Sequence, residues 1–98
     1  MAFSEEFVQQ VWEKARVVPE QDPTTWRKDE CGAWIKRNHY EDRNSEFGWK
    51  IDHIIPGGPN DLSNRRVLQW QNYVAGGSGR VICKVTAEHG GINNKEIR

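Results

Sequence analysis

Several things that would assign this chain quickly are scarce or missing. No run of about eighteen apolar residues occurs, which excludes a helical membrane span. The first residues, Met1 to Phe7, lack the basic-then-apolar order of a secretory leader. An intracellular (cytoplasmic) protein with no membrane partner is therefore expected. Cysteine is nearly absent. Cys31 and Cys83 stand apart with no Cys-x-x-Cys pair, so neither a zinc knuckle nor a thioredoxin-like motif is written here. Buried free thiols are the expected state of both, with a disulfide as the alternative. A charge excess is missing too: 14 Lys and Arg balance 14 Asp and Glu. Nucleic-acid binding rests largely on phosphate neutralisation and ordinarily shows a basic surplus. Any basic surface must be local, with Arg27-Lys28, Lys36-Arg37 and Arg65-Arg66 as candidates against the ordinary reading of a solvated mixed surface.

What is present reads as one small domain over residues 1–98, large enough for a single modest core. Five tryptophans must supply much of its buried area. Ser4 can cap a helix whose first turn carries Glu5 and Glu6. Val8, Val11, Trp12 and Ala15 then follow at helical spacing, and Val17-Val18-Pro19 ends the helix because the residue before proline leaves the α region. A turn-rich connection leads to short extended segments at Trp26–Lys28 and Cys31–Lys36, and a polar loop in which His39 is an ordinary surface residue. Gly48 to Ile55 is expected as a strand, with Trp49, Ile51 and His53 on one face and Lys50, Asp52 and Ile54 on the other. Arg65 to Trp70 is its partner strand, and a short helical turn is expected over Gln71–Ala75 before Gly76-Gly77-Ser78-Gly79 stops it. Arg80 to Ala87 is β-prone, and Ile92 to Ile97 returns after a glycine turn. The fold class is α+β: an N-terminal helix and a small antiparallel sheet.

The densest chemistry lies in Gly48-Trp49-Lys50-Ile51-Asp52-His53-Ile54-Ile55-Pro56 and the Gly57-Gly58-Pro59-Asn60-Asp61-Leu62-Ser63-Asn64 that follows. Asp52 offers a hard anionic oxygen to a divalent cation. His53 can accept a proton near neutral pH, and Asn64 is placed to return across the loop and hold its imidazole. The plain structural alternative has Asp as a turn former, His half-buried and Asn capping the loop.

These residues, with Leu68-Gln69-Trp70-Gln71-Asn72 and, upstream, Arg27 to Ile35 and Arg43-Asn44-Ser45, resemble the HNH (ββα-metal) nuclease family of small bacterial and phage proteins. The likeness spans roughly residues 26 to 76. It implies a ββα-metal core at about residues 48–76 with a shortened helix. It also implies a divalent ion, Mg²⁺ or Mn²⁺, on Asp52 and Asn72, with His53 as the base and Asn64 orienting it. Arg65, Arg66, Lys36 and Arg37 are then expected to touch nucleic acid or a protein partner. The chain departs from the family where the second metal ligand and a following lysine belong, since Tyr73 and Gly76 stand there. A neutral phenol is a poor ligand for Mg²⁺. Asn72 is one residue away, a rotation of about 100° on a helix. The loop from His53 to Asn64 is also shorter than the family's.

Two functions follow. One is metal-dependent hydrolysis of DNA phosphodiesters. The other is a catalytically degenerate HNH-like protein that acts by binding, for instance a phage-type inhibitor of a host nuclease or defence complex. A small α+β interaction domain unrelated to nucleases is the third.

Overall fold

Ser4 does cap the first helix: its hydroxyl accepts the Phe7 N–H at 3.1 Å, with Glu5 and Glu6 filling the first turn. A computed structural model describes residues 3–97 of the chain. Helix α1 (Glu5–Trp12) is shorter than its apolar spacing implies, because beyond Trp12 the chain bends so that Arg16 can pair antiparallel with Lys28. Strands β1 (Trp26–Lys28) and β2 (Trp34–Lys36) form a hairpin. Strands β3 (Trp49–His53) and β4 (Arg65–Gln69) form a second, in the register Trp49↔Gln69 to His53↔Arg65.

The core sits between α1 and one face of the β3–β4 hairpin. Val8, Val11 and Trp12 from the helix meet Ile35, Trp49 and Val67, with Ile51 and Leu62 packed against them. The period-2 alternation of β3 thus delivers Trp49 and Ile51 to the helix, as the sequence pattern implies. The Trp12 and Trp49 rings lie 5.2 Å apart, and Tyr40 packs 4.8 Å from Trp49 on another side. Each buried indole N–H finds a carbonyl, Trp12 that of Pro23 at 3.0 Å and Trp49 that of Arg37 at 3.3 Å, which removes the cost of burying them.

The α+β class holds, but the helix expected over Gln71–Ala75 is not formed. In its place β5 (Tyr73–Val74) pairs antiparallel with β6 (Val81–Ile82). The glycine run turns the chain rather than ending a helix. Gly77 and Gly79 take φ of +83° and +73°, conformations that glycine adopts without steric cost, and β-prone Tyr73 and Val74 are thereby folded back onto a partner. Strands β7 (Val85–Ala87) and β8 (Asn94–Glu96) complete a fourth two-stranded sheet. The chain therefore follows its ββ unit with two more hairpins where the metal-site helix was expected.

The expected free thiols are corrected as well. Cys31 and Cys83, 52 residues apart, are joined by a disulfide. It ties the β1–β2 turn to the link between β6 and β7. Two cysteines read separately along a chain carry no distance, so their pairing depends on a tertiary approach that local pattern does not contain.

Two stabilities follow. Trp49→Ala should cost about 3–5 kcal/mol in urea unfolding, because a fully buried indole leaves a cavity that its neighbours cannot close. A loss under about 1 kcal/mol would mean the ring is not central to the core. Cys83→Ser should cost about 4 kcal/mol, the loop-entropy value for a 52-residue closure. Equal urea midpoints for oxidised and reduced protein would contradict it.

Candidate functional site

The strand that ends in Asp52-His53 sends these two side chains to opposite faces of the hairpin, since neighbours along a strand alternate. The Asp52 carboxylate turns back on its own backbone, accepting the His53 N–H at 2.8 Å. His53 stands opposite Arg65 in the register, and the Arg65 Nη1 lies 2.9 Å from its Nε2. A guanidinium has only donors, so this contact requires the lone pair on Nε2 and the ring proton on Nδ1. The nitrogen facing the loop is thus already engaged. Asn60 Oδ1 completes the group by accepting from Arg65 Nη2 at 3.4 Å.

Asn64 serves the loop rather than the imidazole it was expected to hold. Its Nδ2 donates to the carbonyls of Ile55 and Pro59, both at 3.0 Å, and its Oδ1 accepts the Ile55 N–H at 2.8 Å. These three bonds clamp the Gly57-Gly58-Pro59 loop. They also explain Gly58, where a Cβ would come within 2.8 Å of Asn64 Nδ2. The loop-capping alternative read from sequence describes Asn64 here.

Asn72 is not beside Asp52. It is fully buried, and all four of its side-chain hydrogen-bonding positions are occupied. Its Nδ2 donates to Asp29 Oδ2 at 2.9 Å and to the Val85 carbonyl at 3.2 Å. Its Oδ1 accepts the Lys84 and Val85 N–H groups at 2.7 and 2.9 Å. The oxygen of Asn72, expected as a metal ligand, meets the backbone at the start of β7. Tyr73 lies on β5 with 43% of its surface exposed. Among the described residues no group of three or more His, Cys, Asp and Glu side chains is placed to hold a metal ion.

The four cations expected to reach a partner are largely spent inside the molecule. Arg66 is 8% exposed, paired with Glu30 at 2.9 Å and bonded to the Ile54 carbonyl at 3.2 Å. Arg65 is 7% exposed and, besides His53, lies over the Phe3 ring. Arg37 donates to Gln9 Oε1 at 2.8 Å and pairs with Glu5 at 3.5 Å. Lys36 rests its ammonium over the Trp26 ring. His39, read as plain surface, is partly buried with its Nδ1 2.6 Å from Ser45 Oγ.

The most committed polar group was not singled out from the sequence at all. Asp29 is 1% exposed and is in no ion pair among the described residues. Its Oδ1 accepts the Cys31 and Ala33 N–H groups at 2.9 and 2.8 Å. Its Oδ2 accepts the Gln69 N–H at 2.8 Å and Asn72 Nδ2 at 2.9 Å. In sequence it sits in a polar Lys-Asp-Glu-Cys-Gly turn, which signals a turn carboxylate bonding the N–H groups two and four residues on; nothing local points to Gln69 or Asn72.

Compared with known protein families, curated proteins and solved structures, the chain matches none.

Burial pushes the Asp29 carboxyl above its ordinary 3.8, and its four N–H donors oppose that shift only in part. A raised folded-state value means the native protein holds this proton more tightly than the unfolded chain. The contribution is full below the unfolded value and declines as pH rises through the folded one. Asp29→Asn places an NH₂ against two N–H donors and should cost about 2–3 kcal/mol at pH 7. The gap between wild type and Asp29→Asn should widen as pH falls toward 4 in urea titrations. A gap that narrows with acid would reverse the sign argued here.

Proposed function

We propose that this chain acts by binding, on a framework that resembles the ββ portion of an HNH nuclease, and does not cleave phosphodiesters. The observation that carries this reading is the fate of the segment after β4. Asn72, the residue best able to join Asp52 on an ion, has every hydrogen-bonding position taken by Asp29, Lys84 and Val85. Residue 73 lies on a strand rather than on a helix facing Asp52. A hydrolytic metal site needs several ligands converging on one ion with an open position for substrate. One carboxylate bonded to its own backbone does not supply that.

His53 is equally ill-disposed to act as a base. A base must offer its lone pair to the attacking water, and the Nε2 lone pair here accepts from Arg65. What remains of the resemblance is a rigid hairpin and an Asn-clamped loop, both suited to presenting a fixed surface. Such a protein works by occupying its partner.

The test is supercoiled-plasmid nicking with Mg²⁺, Mn²⁺ or Ni²⁺, using wild type, His53→Ala and Tyr73→Asn. No nicking is expected from any of the three, including Tyr73→Asn, because a new amide on β5 does not converge on Asp52. Metal-dependent nicking by wild type that disappears in His53→Ala would overturn the reading and make this a nuclease.

A further inference from the structure

Three cations outside the ion pairs lie around one tryptophan, while Arg80 and Lys95, exposed and likewise unpaired among the described residues, do not line its clefts. Lys14, Arg16, Arg27, Arg37, Arg65 and Arg66 all donate to groups within the fold. Arg43, Lys50 and Lys84 instead enter no ion pair among the described residues, and all three line clefts that meet at Trp70. One cleft, of about 540 Å³, is walled by Arg43, Trp70, Gln71, Lys84, Glu96 and Ile97. The other, of about 250 Å³, is bounded by Glu41, Arg43, Trp49, Lys50 and Trp70. Trp70 and Arg43 are common to both. Lys50 is confined to one cleft and Lys84 to the other.

Trp70 is held as a platform. Its Nε1 donates to the Ser45 carbonyl at 2.9 Å, which fixes the ring plane. Gly48 lies under the Asp42 carbonyl, which a Cβ there would meet at 1.7 Å, and it also leaves room for Trp70 Cδ1, 3.1 Å from that position. The Arg43 guanidinium carbon sits 5.7 Å from the ring centroid, on a side chain that is otherwise exposed. A fixed aromatic ring under a movable guanidinium, with one ammonium in each adjoining cleft, matches the chemistry of a nucleobase with a phosphate on either side.

We propose that this groove binds single-stranded nucleic acid, one base stacking on Trp70 beneath Arg43 while the flanking phosphates meet Lys50 and Lys84. The inference rests on the binding reading above and names its partner class. The strand is single because the stacked base must leave its own stack to reach the ring. Charge has only a supporting part. Three cations against Glu41 and Glu96 leave the groove at +1, that is 3 − 2. Stacking must therefore carry most of the affinity.

The experiment is fluorescence anisotropy of a labelled twelve-residue oligothymidylate with the intact, oxidised chain. Two phosphate contacts imply a log–log salt slope near −1.4, so affinity should fall about sevenfold between 50 and 200 mM salt. Trp70→Ala should weaken binding about tenfold or more. The double variant Lys50→Gln, Lys84→Gln removes no side-chain hydrogen bond among the described residues, so it should keep the fold by circular dichroism, weaken binding and flatten the slope. No binding at 50 mM salt, or the same affinity in all variants, would overturn the proposal. So would equal competition by duplex DNA or by poly-glutamate, the second of which would point to an acidic protein instead. Nicking of plasmid would defeat the binding reading without changing these affinities, so the two failures are separable.

Discussion

The Asp29 carboxylate is taken out of water without an ion-pair partner among the described residues, and much of the structure is arranged to make that tolerable. An unsolvated carboxylate is costly unless each oxygen is met by donors. The donors come from three places: the β1–β2 turn, the end of β4 and the segment that leads to β5. Satisfying one charge thus fixes the first hairpin against the second. Through Asn72 it also fixes both against β7. The disulfide closes beside this knot, since Cys31 donates its own N–H to Asp29. The apolar core lies elsewhere, between α1 and the Trp49 face, so the molecule has one hydrophobic centre and one polar one.

How much of this was legible in the sequence depended on whether the determinant was local. The Ser4 cap, the buried stripe of α1 and the facing of Trp49, Ile51 and His53 all follow from spacing along a few residues, and the structure reproduces them. The segment after Trp70 is ambiguous in sequence because Gln71 to Ala75 has no strong period and a glycine run is compatible with ending a helix or turning a hairpin. The tertiary pull of Asn72 into the Asp29 knot decided it. The disulfide and half of the Asp29 network were opaque for the same reason: Cys83, Gln69 and Asn72 are 40 or more residues from their partners.

The site shows the same division. Asp52, His53 and Asn64 are brought close along the β3–β4 hairpin, but what each side chain does was set by residues that a motif leaves unstated. Arg65 occupies the His53 nitrogen, and the loop carbonyls occupy Asn64. Two adjacent arginines that read as a basic patch are each more than nine-tenths buried, and the Nε of both lacks a partner. A run of charge in sequence therefore says little about surface potential until the direction of each side chain is known. The cations beside Trp70, namely Arg43, Lys50 and Lys84, are far apart in sequence, and no local run marks them out.

The bond between Cys31 and Cys83 makes a covalent ring of more than half the chain. The β3–β4 hairpin and the Asn64-clamped loop lie wholly inside that ring, while α1 and β8 are tails outside it. A single backbone cut in the exposed Pro59–Asp61 loop would open the ring without dividing the molecule. The two halves would remain tethered next to the Asp29 knot, free to reassemble as one body.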